Sequence, residues 1–240
     1  MKARTKGARQ ATVEKVETAK DAAVEALEAV KPRLRGVSHE WAFFLSLFLG
    51  AALILAADTP EATIAVAIYA VSLSAVLGTS ALYHRVEWQR PAVRRWMRRL
   101  DHAMIFFLIA GTYTPFALLV LDGALADTIL TVVWIGAVAG AVVEIVWIEH
   151  PKWVAALVYM SLGWVAVVPF PALWEEMGAT GTLLVAAGGL LYTIGAVIYA
   201  TQRPNPNPRV FGYHEVFHAL VIAAAAAQFA AIAFFALPNS

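Results

Sequence analysis

The sequence predicts an all-α membrane protein, a seven-transmembrane helix bundle. Of its 240 residues, 60% are hydrophobic and only 15% are charged, and the mean hydropathy is +0.68. A soluble domain does not have enough interior to bury so much apolar surface. From Trp41 onward the hydropathy rises and falls in stretches of about twenty residues, the length that crosses a hydrocarbon core of about 30 Å.

Seven such stretches follow one another along the chain. They cover approximately residues 40–57, 62–84, 100–121, 126–148, 152–170, 181–201 and 211–236. The breaks between them carry charged or turn-forming residues. These are Asp58-Thr59-Pro60-Glu61, an Arg-rich loop, Asp122-Gly123, His150-Pro151, Trp174-Glu175-Glu176 and the Pro/Asn run at 204–208. The chain therefore divides into an N-terminal segment, 1–36, and a seven-transmembrane domain, 37–240.

The N-terminal segment is polar and lacks the apolar core of a cleaved signal peptide. Ala, Glu and Lys dominate residues 11–31, where small apolar residues recur about one helical turn apart. This pattern predicts a short cytosolic or membrane-surface helix that ends at Pro32 and Gly36. A partly disordered tail is the alternative interpretation.

The basic residues distinguish the two possible orientations of the bundle. If the N-terminus is cytoplasmic, all 18 Lys and Arg residues fall in cytoplasmic segments. The charged residues of the external segments are then all acidic, namely Asp58, Glu61, Asp122, Asp127, Glu175 and Glu176. Because Lys and Arg accumulate on cytoplasmic loops, we expect a cytoplasmic N-terminus, an external C-terminus and a location in the cell membrane.

Composition also limits the chemistry. A net charge of +1 gives no sign of a nucleic-acid partner, and membrane lipids are the expected contacts. The chain has no cysteine, so a bound metal must use His, Asp or Glu. The last span contains no lysine, which excludes a retinal Schiff base at that position.

Four ionisable residues lie at one predicted depth. His84 ends the second span, Asp101 begins the third, and His214 and His218 open the seventh. An ionised group at the centre of a transmembrane helix costs about 2.5–3.5 kcal/mol, so each of these residues needs a reason to be there. His214 and His218 are four residues apart and share a helix face. Three distant segments thus bring metal-ligating side chains to one layer.

Three neutral imidazoles with an open fourth position are typical of catalytic zinc, which lowers the pKa of its water to about 7. We expect His84, His214 and His218 to be the ligands. Asp101 would orient that water, take its proton or hold a ligand imidazole. Ser80 precedes His84 by one turn, so its hydroxyl can reach the same site.

The other polar residues in the spans have simpler interpretations. Single histidines near helix ends are most often interfacial, which is the expectation for His39, His102 and His150. His102 follows Asp101 directly and points about 100° away from it. Glu144 lies about one turn from the inner face, where its carboxylate can snorkel to water.

The last span also contains His214-Glu215-Val216-Phe217-His218, which matches the HExxH pattern of zinc proteases. Leu121-Asp122-Gly123 resembles the string that supplies the third ligand in intramembrane metalloproteases. The predicted topology places Asp122 about a bilayer thickness from the histidines, and the two motifs occur in the reverse order. The protease is therefore the less favoured alternative, and Glu215 is a candidate general base secondary to Asp101.

Three motifs on spans two, three and seven resemble the hemolysin III family. They are Ser80-Ala81-Leu82-Tyr83-His84, then Leu100-Asp101-His102 running into Ala110-Gly111-Thr112-Tyr113-Thr114-Pro115, then Gly212-Tyr213-His214-Glu215-Val216-Phe217-His218. The resemblance covers about residues 38–238. That family belongs with the adiponectin and progestin receptors (PAQR proteins) and, more distantly, with the alkaline ceramidases.

The resemblance implies a bundle with a cytoplasmic N-terminus and with zinc near the cytoplasmic leaflet. His84, His214 and His218 would be the ligands, with Asp101 and Ser80 beside the metal-bound water. It further implies hydrolysis of a lipid amide or ester, a role in membrane homeostasis and the cytolysis for which the family is named. The alternative is a non-enzymatic pore-forming or receptor-like protein in which zinc only joins the helices.

Overall fold

The protein is an all-helical bundle. A computed structural model describes residues 31–147 and 151–239, and these ranges contain no β-strand. The helices are α1 (Val37–Leu55), α2 (Pro60–Arg85), α3 (Pro91–Leu119), α4 (Gly123–Val146), α5 (Lys152–Gly163), α6 (Phe170–Thr201) and α7 (Tyr213–Ala231). The N-terminal helix predicted before residue 31 lies outside the described residues, as does His150.

Six of these seven helices, all except α5, are long and apolar enough to cross a membrane. The predicted all-α membrane architecture is therefore confirmed. The fifth predicted span is shorter than expected. Its apolar helical stretch, Trp153–Val167, consists of α5 followed by a 3₁₀ turn at Trp164–Val167.

Two of the predicted breaks, the Arg-rich loop and Trp174-Glu175-Glu176, are wholly or partly helical, because hydropathy reports membrane depth and not helix length. Helix α3 starts at Pro91 in place of residue 100, since Arg is a good helix former and Pro suits the first helical position. Helix α6 starts at Phe170 in place of residue 181, so Trp174-Glu175-Glu176 is helical. The actual break in α6 is Gly178, whose φ of 66° is outside the helical region.

Neighbouring helices in the chain pack against each other, and α7 returns to contact α1. The core between them is built from Ala, Val, Leu and aromatic side chains, including the fully buried Tyr69 and Phe106. Small residues allow close approach, as at Gly140, where an added Cβ would lie 2.2 Å from the Phe106 ring. The first and last helices therefore meet, and residues distant in sequence share one site.

The two ends of the bundle have different compositions. At one end, Asn239 donates to the Glu176 carbonyl (3.4 Å), near the α1–α2 and α3–α4 connections. At the other end, the Arg33 and Leu34 amides donate to the carbonyls of Arg209 and Val210, both at 3.1 Å. The acidic segments predicted to be external thus share one end, and the basic segments before α1 and before α7 share the other.

Candidate metal centre

Three imidazoles from two helices meet at the basic end of the bundle. His84 lies on the last turn of α2, and His214 and His218 lie on the first two turns of α7. One potential ligand atom from each residue falls in a set whose members all lie within 4.8 Å of one another. The fold therefore brings together the three histidines that the sequence predicted as ligands.

The geometry of this cluster fits a metal ion. The Nε2 atoms of His84 and His214 are 3.1 Å apart. Two nitrogens bound tetrahedrally to zinc at about 2.0–2.1 Å are separated by about 3.3 Å, which is close to that value. His84 and His218 are buried, and the Nδ1 of His218 has no hydrogen-bond partner among the described residues. A cation bound by neutral imidazoles would satisfy these nitrogens.

Local backbone geometry allows α1 to pass close to His84. Gly36, immediately before α1, has a φ of 80°. A Cβ at this position would lie 2.6 Å from the His84 Cβ. Glycine is therefore required both for the left-handed backbone and for the close contact, and the start of α1 covers one side of the cluster.

Asp101 and Ser80 lie beside the cluster. Asp101 Oδ2 is 3.6 Å from His84 Nε2, and the Ser80 hydroxyl is within reach of the same carboxylate. Both residues are buried. Asp101 is thus close enough to exchange a hydrogen bond with a small ligand held by the imidazoles.

His39 contradicts the expectation of an interfacial residue. It is 3% exposed, and its ring stacks on His218 with 3.7 Å between centroids and a 10° interplanar angle. Both of its ring nitrogens are buried and lack a well-aligned hydrogen bond within the described residues, and the backbone of His218 is within reach. His39 lies near the cytoplasmic end of its span, at the same predicted depth as His84. The sequence therefore contained the information that His39 could reach the histidine cluster.

Glu215 is turned toward the start of α1. Its Oε1 forms an ion pair with the Arg35 guanidinium, and its Oε2 accepts a hydrogen bond from the Gly212 amide at 2.7 Å. The second contact is the Glu half of a capping box at the start of α7, since Gly212 has no side chain to form the other half. The carboxylate is 2% exposed, and these partners use both of its oxygens.

Glu144 and His102 also contradict the expectation of snorkelling and interfacial side chains. The Glu144 carboxylate is 2% exposed, and its Oε1 accepts from the Tyr159 hydroxyl at 2.8 Å. Its Oε2 lies 3.3 Å from Nδ1 of His102. The signal that sequence reasoning missed is that an acid and a histidine occur at similar depth on consecutive spans. Helices α3, α4 and α5 are therefore joined by a buried polar cluster.

Asp122 lies at the other end of the bundle, beside Thr59, Glu61 and Asn239. The metalloprotease interpretation needs this carboxylate next to the HExxH histidines. The structure separates them, in agreement with the predicted distance of about a bilayer thickness.

A cavity of about 480 Å³ extends from the histidine cluster through the bundle. It is lined by Ser80, Asp101, His214 and His218 at one end, and by apolar residues such as Phe116 and Leu173 farther along. Its wall on α3 runs from Asp101 to Ala117, about 24 Å at 1.5 Å per residue. The polar site is thus the end wall of a long and mostly apolar chamber.

These features define a multi-pass integral membrane protein with a histidine cluster that can hold a metal ion. A family described as haemolysin-III related matches residues 27–229. This match covers most of the chain and includes every helix up to the last turn of α7. The protein belongs to the haemolysin-III-related family, as its motifs predicted.

Individual relatives agree with this assignment. The chain is 31% identical to "Hemolysin-3" of Bacillus cereus over 182 residues, which is 76% of this chain and 80% of that protein. It is 28% identical to the human "Monocyte to macrophage differentiation factor" over 168 residues, 69% of this chain and 67% of that protein. It is 26% identical to the rice "Heptahelical transmembrane protein ADIPOR2" over 182 residues, 69% and 79% of the two chains.

Proposed function

We propose that this protein is a zinc-dependent hydrolase that cleaves the amide or ester bond of a membrane lipid. The observation that carries the proposal is the position of the three-histidine cluster, with Asp101 and Ser80, at one end of the apolar cavity. A cavity of this size and lining suits a ligand with a long acyl chain. The reactive bond of such a ligand would lie at the polar end wall.

His84, His214 and His218 are the proposed zinc ligands, because neutral imidazole nitrogens suit this ion and no thiolate is present in the chain. Bound zinc supplies Lewis acidity and acidifies water for attack on a carbonyl. Asp101 accepts and returns the proton at Oδ2, and Ser80 orients that carboxylate. In this proposal Glu215 is structural, since Arg35 and Gly212 use both of its oxygens.

The proposal is tested by hydrolysis of a panel of acyl amides and esters in one detergent, with metal content measured in parallel. Asp101→Asn should keep the metal because the three imidazoles are unchanged. It should lose hydrolysis by about a hundredfold, the scale for removal of a positioned acid or base. A zinc-loaded wild type without turnover on any lipid, or a fully active Asp101→Asn protein, would refute the catalytic proposal.

The non-enzymatic alternative is supported by the fact that the three histidines come from two different helices, α2 and α7. A metal at this place would join two helices that are distant in sequence, as a structural zinc does in a pore-forming or receptor-like protein. In that case membrane phenotypes of variants should follow metal content and stability alone, and Asp101→Asn should have no phenotype.

We further propose seven membrane crossings with the N-terminus in the cytoplasm. The segment from α5 to the Gly178 kink supports the additional crossing, because Tyr159 contacts Glu144 near the basic end while Glu176 contacts Asn239 at the acidic end. The basic end faces the cytoplasm by the positive-inside rule. Reporter fusions after Ser240 should read external, and a cytoplasmic readout would overturn this orientation.

A further inference from the structure

The apolar cavity contains a second polar position far from the histidines. The side chains of Gln228 on α7 and Tyr192 on α6 both line it. Gln228 lies ten residues beyond His218, about 15 Å along the helix axis. This position therefore belongs to the middle of the chamber, where a bound chain passes, and not to the metal site.

Gln228 is held in place with one polar atom unused. Its Nε2 donates to the Val185 carbonyl at 3.0 Å, which fixes the orientation of the amide. Gly188 makes room for it, because a Cβ there would lie 2.5 Å from Nε2. The side chain is 5% exposed, and its Oε1 has no hydrogen-bond partner among the described residues.

Tyr192 supplies the complementary group. It follows Gly188 by four residues, so it lies on the same face of α6 as the glycine that packs against the Gln228 amide. The Tyr192 hydroxyl is buried and has no hydrogen-bond partner within the described ranges. Other hydroxyls of the cavity wall differ in this respect, since Thr193 donates to the Gly189 carbonyl at 2.8 Å.

A buried polar atom without a partner costs about 1–3 kcal/mol in a folded protein, so such atoms have a reason to be retained. An acceptor and a hydroxyl without partners among the described residues, on two side chains that line one apolar chamber, match a ligand group that both donates and accepts. We propose that Gln228 and Tyr192 form a subsite for a hydroxyl carried in the middle of a ligand's acyl chain. The hydroxyl would donate to Gln228 Oε1 and accept from the Tyr192 hydroxyl.

This inference rests on the proposed function for the direction of the ligand, whose carbonyl lies at the histidine end. It names the substrate class more closely as acyl lipids with a mid-chain hydroxyl. The test uses binding rather than turnover, so it remains valid if the protein proves to have no hydrolase activity.

The experiment measures displacement of a fluorescent fatty acid from the purified protein in nanodiscs. The competitors are octadecanoic acid and its 2-hydroxy and 12-hydroxy derivatives. Wild type should prefer the 12-hydroxy acid over the plain acid by roughly threefold to tenfold, the range for one or two added hydrogen bonds. The hydroxyl of the 2-hydroxy acid would lie near the histidine end, so any preference for this acid over the plain acid should not depend on Gln228.

Gln228→Leu and Tyr192→Phe should each abolish the preference while binding of the plain acid is retained. Thr193→Val is the matched control, because its hydroxyl is already bonded to the backbone, and it should keep the preference. Comparing the ratio of the two acids between proteins cancels their different partition into lipid. Equal binding of the three acids by wild type, no saturable binding of any of them, or a preference that survives in Tyr192→Phe would overturn the subsite.

Discussion

The protein has two buried polar clusters, and their hydrogen bonding differs. In the histidine cluster, the Nε2 atoms of His84 and His214 face each other at 3.1 Å, and the Nδ1 of His218 lacks a partner among the described residues. In the Glu144 cluster, the carboxylate accepts a hydrogen bond from the Tyr159 hydroxyl at 2.8 Å. Its other oxygen lies 3.3 Å from the Nδ1 atom of His102. Both clusters lie where polar groups are expensive, but in the second a carboxylate accepts a hydroxyl hydrogen bond, whereas in the first imidazole nitrogens face one another.

This difference predicts that the histidine cluster binds a ligand and that the Glu144 cluster is structural. Convergent imidazole lone pairs are unfavourable unless a cation or a proton binds them, whereas a carboxylate with a hydroxyl donor and a neighbouring imidazole has protein partners at hand. Substitutions in the histidine cluster should therefore change metal content first. Substitutions in the Glu144 cluster should change stability and leave the metal in place.

The largest effect is expected for removal of a ligand. Wild-type protein should contain about one equivalent of zinc, and His84→Ala or His218→Ala should lose most of it. Thermal stability should fall as well, because binding energy at a structured site is also folding energy. Elemental analysis of purified protein and a thermal melt with and without chelator measure both quantities.

His102→Gln is the matched control for this experiment, since His102 is a partly buried histidine that lines the same cavity but belongs to the other cluster. It should retain the full metal content. Metal content in His84→Ala equal to that of wild type would remove His84 from the ligand set and with it the distinction between the clusters.

The next largest effect concerns the Glu144 cluster. Glu144→Ala removes the acceptor of the Tyr159 hydroxyl and the carboxylate beside the His102 ring, and a buried polar group left without its partner costs about 1–3 kcal/mol. The melting temperature should fall by several degrees while zinc content is unchanged. Glu144→Gln keeps an acceptor for Tyr159 and should cost less. Loss of zinc in Glu144→Ala at a temperature where the protein is folded would contradict a purely structural role.

A smaller effect is expected at Glu215, which adjoins the histidine cluster in sequence but faces Arg35. Arg35 is 21% exposed, which weakens the pair, so Glu215→Gln should cost about 1–2 kcal/mol. Zinc content and hydrolysis should both persist. A loss of turnover by about a hundredfold with normal metal content would instead identify Glu215 as the general base.

The sequence predicted the membrane bundle and the convergence of His84, His214 and His218, because hydropathy and charge determine both the spans and their depth. Depth alone gives no rotation about a helix axis. It could not show that Glu215 turns to Arg35 or that Glu144 turns to Tyr159, since these choices depend on which helices are neighbours.

Hydropathy also missed the helical extension at Pro91 and the Gly178 kink in α6. The extension lies in an Arg-rich segment that no hydropathy window assigns to a span. The kink is set by a single glycine whose backbone angle depends on the packing around it. Local propensity at such positions becomes decisive only after the bundle has formed.

The smallest effect is expected at His39, which stacks on the histidine cluster but is not one of its three potential ligands. His39→Phe keeps a ring that can stack on His218 and removes two buried nitrogens that lack a well-aligned hydrogen bond within the described residues. The loss of unsatisfied polar atoms stabilises the fold, and the slightly larger ring opposes this through tighter packing. Stability should therefore change by no more than about 1 kcal/mol, with full zinc content. His39→Leu, which loses the stacked ring, is the comparison variant and should be less stable. If His39→Phe lost zinc as His84→Ala does, four imidazoles would bind the metal, no coordination position would remain for water, and the cluster would be a structural site.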